Sequence, residues 1–109
     1  MDKATQDRIH KMVTSYPVML FMKGTPDEPR CGFSATVAQI LTFQGARFAS
    51  FDVLADPAVR EGIKEYGNWP TIPQLYINGE LVGGADIVRQ MFESGELDEA
   101  LKAAAPAQG

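Results

Sequence analysis

Cys31 is the only cysteine in the 109 residues. It stands in Cys31-Gly32-Phe33-Ser34, which has the spacing of a Cys-x-x-Cys redox motif with serine in place of the second thiol. A dithiol motif closes an internal disulfide. Ser34 cannot, so any disulfide formed here is mixed, and its resolution needs a thiol from solution or another chain. The thiolate is the form that attacks and the form that binds metal, and an ordinary thiol of pKa about 8.5 is only about 3% thiolate at neutral pH. Cys31 directly precedes a predicted helix, where free N–H groups and the macrodipole favour an anion. Lys23 and Arg30, in the loop before it, are candidate cations. Such surroundings bring thiol pKa values down to roughly 3.5–7.5. The plainer alternative is a buried cysteine acting as a small hydrophobe, which the flanking Pro29-Arg30 and Gly32 make less apt.

Other residues have spacings open to two readings. Arg60 and Lys64 lie four apart on one predicted helix face, mildly repulsive unless an anion sits near them, and otherwise a solvated basic face. Pro73 reads as a proline that starts a strand. Gly83-Gly84 permits close backbone approach, and Asp86 suits the N-cap of a last helix. The lone histidine, His10, reads as a surface residue, and Met12, Met19, Met22 and Met91 as core fillers. Glu93, Glu96, Asp98 and Glu99 read as a solvated helix face. No phosphate-loop or dinucleotide fingerprint occurs.

The elements that must position these residues follow from periodicity. Ile9, Met12 and Val13 predict a helix over residues 2–15. Val18-Met19-Leu20-Phe21-Met22, bounded by Pro17 and by Lys23-Gly24-Thr25-Pro26, suits a strand buried on both faces. Gly24, Pro26 and Pro29 exclude a regular element over 24–30. Val37, Ile40, Leu41 and Gln44 predict a helix over 32–44, with Gly45 as its stop. Residues 47–53 alternate as a second strand. Asp56-Pro57 opens a third helix, N-cap then proline, that ends near Tyr66-Gly67. Asn78-Gly79 between Gln74–Ile77 and Glu80–Val82 predicts a hairpin with a type I′ turn. A final helical region spans 86–105, interrupted near Ser94-Gly95. The order α-β-α-β-α-β-β-α gives an α/β fold, a small mixed sheet with helices on both faces. One domain is expected over 1–109, with its core over about 5–103 and a flexible tail at 104–109.

Composition narrows the classes. With 45% hydrophobic residues and 10 Lys+Arg against 14 Asp+Glu, net −4, the chain is neither disordered nor a nucleic-acid binder. No apolar run approaches the roughly 20 residues that span a bilayer, so no membrane association is expected. The polar, acidic start Met1-Asp2-Lys3-Ala4-Thr5-Gln6-Asp7 does not read as a signal or transit peptide. One cysteine excludes a disulfide-stapled secreted fold. A cytoplasmic setting is expected.

Four motifs, in order, resemble the monothiol glutaredoxin family of the Cys-Gly-Phe-Ser type: Lys23-Gly24-Thr25-Pro26; Pro29 with Cys31-Gly32-Phe33-Ser34; Trp69-Pro70-Thr71-Ile72-Pro73-Gln74-Leu75; and Gly79-Glu80-Leu81-Val82-Gly83-Gly84 with Asp86-Ile87. The resemblance runs from about Pro17 to Leu97. It implies a thioredoxin fold of the glutaredoxin type, a four-stranded mixed sheet flanked by helices, and glutathione binding. It also implies a [2Fe-2S] cluster bridged between two protomers of a homodimer, each supplying Cys31 and one glutathione. Four thiolates hold such a cluster, so one cysteine per chain fits that stoichiometry. In the family, a longer loop before the cysteine, here within 24–30, marks cluster-handling members.

By the same resemblance, Lys23 and Arg60 pair with the glycine carboxylate of glutathione. The Ile72–Pro73 peptide bond is cis, and the backbone beside Pro73 pairs with the cysteinyl part. Asp86 receives the γ-glutamyl ammonium, and Phe33, Thr71, Ile72, Pro73, Gly84 and Ala85 are further glutathione-binding positions. Trp69 is either a core aromatic or a wall of the groove. Ala85 departs from the many members that carry a second cysteine there, so no disulfide from that position to Cys31 forms in this chain.

Two activities follow as expectations. One is a carrier that passes its cluster to apo iron-sulfur recipient proteins, with BolA-like proteins as partners. The other is a glutathione-dependent thiol-disulfide oxidoreductase that deglutathionylates proteins through Cys31. A third reading is an iron-sensing interaction module.

Overall fold

The computed structural model describes residues 1–104. Helix α1 (Lys3–Ser15) starts at Asp2, whose carboxylate accepts the Thr5 N–H, and it buries Ile9 and Val13. Strand β1 (Val18–Met22) is buried at every residue. After the Lys23–Arg30 loop come α2 (Gly32–Phe43), β2 (Ala49–Asp52) and α3 (Pro57–Tyr66). Asp56 caps α3 through the Ala58 and Val59 N–H groups, with Pro57 in the first turn. The hairpin β3 (Gln74–Ile77) and β4 (Glu80–Gly83) leads into α4 (Ala85–Ser94) and α5 (Glu96–Ala104).

The sheet order is β2-β1-β3-β4. β1 runs parallel to β2 and antiparallel to β3, and β3 antiparallel to β4. Alternation along β1 divides the core. Val18, Leu20 and Met22 join Leu75, Ile77, Val37, Leu41, Val88 and Leu97 on the face covered by α2, α4 and α5. Met19 and Phe21 join Tyr76, Ile9, Val13, Val59 and Ile63 beneath α1 and α3. Burial on both faces is why β1 reads as an unbroken apolar run. This is the thioredoxin fold, a four-stranded mixed sheet flanked by helices.

Asn78 (φ +53°) and Gly79 (φ +80°) both take the left-handed conformation that a type I′ turn requires. Met19 and Met22 are buried, and Met12 and Met91 pack at the core margins. His10 is exposed on α1, its Nδ1 3.0 Å from the Tyr66 hydroxyl. Among the described residues no helix is long and apolar enough to cross a membrane.

Three expectations need correction. The second strand covers Ala49–Asp52 rather than 47–53, because Asp52 turns its carboxylate back to accept the Leu54 N–H (2.9 Å) and caps a short 3₁₀ turn over Val53–Ala55. The last helical region is interrupted at Gly95 (φ +87°) as expected, but it begins at Ala85, and its N-cap is Gly84 rather than Asp86, which lies in the first turn. The flexible tail does not begin at 104: Ala104 ends α5 and is buried. Residues 105–109 lie outside the described part of the chain.

Candidate functional site

The loop from Lys23 to Arg30 closes on itself. The Arg30 N–H donates to the Lys23 carbonyl (2.9 Å), the Thr25 N–H to the Glu28 carbonyl (3.2 Å), and Gly24 and Pro29 form an isolated antiparallel bridge. Gly24 has φ +89°, and a Cβ there would collide with the Glu28 carbonyl and sit 2.7 Å from the Arg30 nitrogen. Only glycine meets both conditions. Two side chains from other elements grip the loop's start. The Lys23 N–H donates to Ser34 Oγ (3.0 Å) and the Gly24 N–H to Asp52 Oδ1 (2.9 Å).

Cys31 is the N-cap residue of α2, with extended backbone and no capping hydrogen bond from its side chain. The Ser34 backbone N–H is the main cause holding the thiol pKa below its ordinary value. The Phe33 N–H, the Lys23 charge and the Ser34 hydroxyl add to it, against an opposing effect of burial. Arg30, the other candidate cation, stands 3.5 Å from Glu28 and is not among the causes. Ser34 is fully buried. It fills the second position of the motif as a hydrogen-bonding residue.

Cys31 opens onto a groove of about 530 Å³. Lys23, Cys31, Phe33, Arg60, Thr71, Ile72, Pro73, Ala85 and Asp86 line it, so most of the expected site residues converge there. The Ile72–Pro73 bond is cis. Phe33 is 60% exposed, a large apolar side chain at the thiol's edge. Trp69 and Gly84 are not among the lining residues. They lie against each other: a Cβ on Gly84 would lie 3.3 Å from Trp69 Nε1 and 3.2 Å from the Pro73 carbonyl. Trp69 is half-buried, and its Nε1–H is buried with no acceptor among the described residues.

The expected set omitted Lys64 and Pro70, which also line the groove. The four-residue spacing of Arg60 and Lys64 was the available signal for the first. Lys64 pairs with Glu61 at 3.1 Å, whereas Lys23 and Arg60 have no carboxylate within 4.0 Å among the described residues. Three cations and the single carboxylate of Asp86 therefore face one cavity. That balance favours an anionic ligand that also carries a positive group.

Two supporting residues, Asp52 and Gln74, were given no role from the sequence. Fully buried Gln74 donates from Nε2 to the Trp69 (2.9 Å) and Thr71 (3.3 Å) carbonyls and accepts from the Tyr76 hydroxyl (3.0 Å). It ties the irregular 69–71 segment, which brings Pro70 and Thr71 to the groove, to β3. For metal, no group of three or more His, Cys, Asp or Glu side chains capable of holding an ion occurs among the described residues. Cys31 alone thus leaves most of any metal's ligands to be supplied from outside the chain.

The family model for glutaredoxin matches residues 18–82. The chain belongs to the glutaredoxin family. With Cys31 as its one cysteine it is a monothiol member. The glutaredoxin resembles an uncharacterized monothiol glutaredoxin, ycf64-like, of Synechocystis at 55% identity, covering 95% of this chain and 97% of that protein. It is 60% identical to monothiol glutaredoxin-S17 of Arabidopsis thaliana over 91% of this chain but only 20% of that protein. It spans about a fifth of that relative and of monothiol glutaredoxin-S11 of rice (21%). Among solved structures, reduced apo glutaredoxin S14 of poplar superposes with a TM-score of 0.81 at 51% identity, covering 92% of each chain. A buckwheat glutaredoxin–glutathione complex superposes with a TM-score of 0.85 at 23% identity, covering 94% of this chain and 92% of that one. At that identity the likeness speaks for the fold.

Proposed function

We infer that this glutaredoxin binds glutathione in the groove beside Cys31 and carries a [2Fe-2S] cluster between two of its chains in the cytoplasm. The cluster is cargo, handed to apo iron-sulfur proteins, with a BolA-like protein as an alternative second subunit. One observation carries the reading: a single activated thiol stands at the mouth of a groove with three cations and one carboxylate. Glutathione matches that groove, with two carboxylates, one ammonium and one thiol. Lys23 and Arg60, with Lys64 beside them, suit its glycine carboxylate, and Asp86 suits its ammonium. Thr71, Ile72 and Pro73 flank the path between these ends.

The donor count supports the rest. A [2Fe-2S] cluster takes four thiolates, one chain supplies one, and a bound glutathione beside Cys31 supplies another. Two such chains complete the set, and the exposed Phe33 gives the approach an apolar rim. Two exchangeable small-molecule ligands make the cluster easier to release than four protein thiolates would.

The test is anaerobic reconstitution with iron, sulfide and glutathione. The expected result is visible cluster absorbance on a dimer that retains glutathione. Absorbance that never appears, that appears equally with Cys31→Ser, or that sits on a monomer overturns the reading.

The lowered thiol pKa also favours a second activity, in iron sensing or cluster carriage a side reaction, of deglutathionylation. The Cys31 thiolate attacks the glutathione sulfur of a protein–glutathione disulfide, the Cys31–glutathione disulfide forms, and the protein thiolate leaves. A second glutathione thiolate then releases oxidised glutathione and restores Cys31. Rapid turnover of a mixed disulfide would favour this as the main role.

A further inference from the structure

The geometry points to Asp52 as a positioning residue for the groove: by holding the Gly24 N–H, it sets Lys23 where a ligand carboxylate is received. The inference rests on the glutathione reading above. Asp52 ends β2, beside Met22 at the end of β1 in the parallel register, so its side chain reaches across to the segment that leaves β1 for the thiol. One oxygen, Oδ1, accepts two backbone N–H groups, that of Gly24 and that of Leu54, each at 2.9 Å. Gly24 and Leu54 belong to different loops, and this shared acceptor is a direct tie between them.

Lys23 lies inside a three-point clasp. Its own N–H is held by Ser34 Oγ, its carbonyl accepts the Arg30 N–H, and the next N–H along the chain is held by Asp52. Gly24 sits at φ +89° with no room for a Cβ, so the loop has little freedom to find a second arrangement while the clasp holds. An ammonium at the end of a long side chain gains from a backbone fixed in advance, because less ordering is left for the moment of binding. The role needs an acceptor at the position of Oδ1, and a negative charge there is not required.

Three substitutions separate these requirements. Asp52→Asn keeps an oxygen at the same reach and removes the charge. Asp52→Glu keeps the charge and displaces the oxygen. Asp52→Ala removes both. Glutathione binding to the full-length apo chain is measured by calorimetry, alongside hydrogen exchange at the Gly24 and Leu54 amides. The expected result is that Asp52→Asn stays within about twofold of wild type, while Asp52→Glu and Asp52→Ala each weaken binding about tenfold and lose amide protection. In a Lys23→Gln background, Asp52→Glu should weaken binding no further, since its effect runs through Lys23. A general loss of stability would not produce that dependence on Lys23. The inference is overturned if Asp52→Glu binds as wild type, if Asp52→Asn is as weak as Asp52→Ala, or if the losses at positions 52 and 23 add. Absence of glutathione binding by the wild-type chain would overturn the functional reading itself, and this inference with it. Normal wild-type binding with a flat series at position 52 would overturn this inference alone.

Discussion

Replacing Gln74 with leucine should destabilise the chain by about 2 kcal/mol and couple strongly to Tyr76. Leucine matches the side chain's bulk and creates no large cavity, so the loss is one of hydrogen bonds. The Tyr76 hydroxyl donates only to Gln74 among the described residues, and Tyr76 is 2% exposed. Losing the acceptor orphans a buried hydroxyl, at a cost of roughly 1–3 kcal/mol. The Trp69 and Thr71 carbonyls lose their Nε2–H donor in a part-buried setting, which adds about 0.5–1 kcal/mol each. Burying leucine in place of an amide offsets about 1 kcal/mol. Repacking offers little relief, because Gly67 is pressed against the same network: a Cβ there would collide with the Tyr76 hydroxyl and lie 2.9 Å from Gln74 Oε1. The assay is denaturant unfolding of wild type, Gln74→Leu, Tyr76→Phe and the double variant, with unchanged m-values as the condition for comparison. Tyr76→Phe alone leaves Oε1 without its partner. The double variant leaves neither group stranded, so the cycle should return a coupling of about 1–2 kcal/mol. A cost below about 0.5 kcal/mol for Gln74→Leu, or additivity within that same margin, would refute the reasoning.

Three further outcomes follow from the site. The rate of Cys31 alkylation should rise with pH around a midpoint below that of an ordinary thiol, and Ser34→Ala should move the midpoint upward by removing the hydroxyl's contribution; a wild-type midpoint at the ordinary value would sink the electrostatic account. Because the folded pKa lies below the unfolded one, ionisation of Cys31 favours the folded chain. That contribution is complete above the unfolded pKa of about 8.5 and lost as pH falls through the lowered folded value, so the stability gap between wild type and Cys31→Ser should widen in favour of wild type as pH rises through that window. Gly24→Ala should cost at least the roughly 1–2 kcal/mol of a left-handed non-glycine residue, since its Cβ also strikes the loop's own backbone; unfolding that matches wild type would show that the loop reorganises freely.

What the sequence made legible was whatever the local chain decides. Asn78-Gly79 announces its turn because positive φ at two successive positions is a demand those residues meet alone. Asp56-Pro57 announces a helix start because the carboxylate caps the next N–H groups and proline suits the first turn, both decided within the local chain. β1 was legible because burial on both faces leaves no polar position in it. Residues whose partners are distant in sequence were not. The second strand read too long because Asp52 alternates like a strand residue yet caps the 3₁₀ turn that follows, and its tie to Gly24, 28 positions away, carried no local signal at all. Gln74 looks like the polar member of an alternating strand, yet it is fully buried, its amide bound to irregular backbone at 69 and 71. Trp69 could be core or groove wall from its type alone, and the structure sets it against Gly84, half-buried and outside the groove's lining. Lys64 shared its spacing signal with Arg60, but a pair of cations on a helix declares an anion site only when the opposite wall is known.

The serine at position 34 shows why a lost thiol need not be a lost function. Its hydroxyl accepts the Lys23 N–H at 3.0 Å and acts with its own backbone N–H to favour the Cys31 thiolate. A thiol accepts and donates hydrogen bonds only weakly, so a cysteine there would loosen Lys23 and support the thiolate less, while offering it an internal disulfide partner. Serine does the opposite on each count. It holds the cation, steadies the anion and leaves Cys31 with no bonding partner inside the described chain. The thiolate is thus favoured and left available to a partner from outside, which is what a mixed disulfide requires of it.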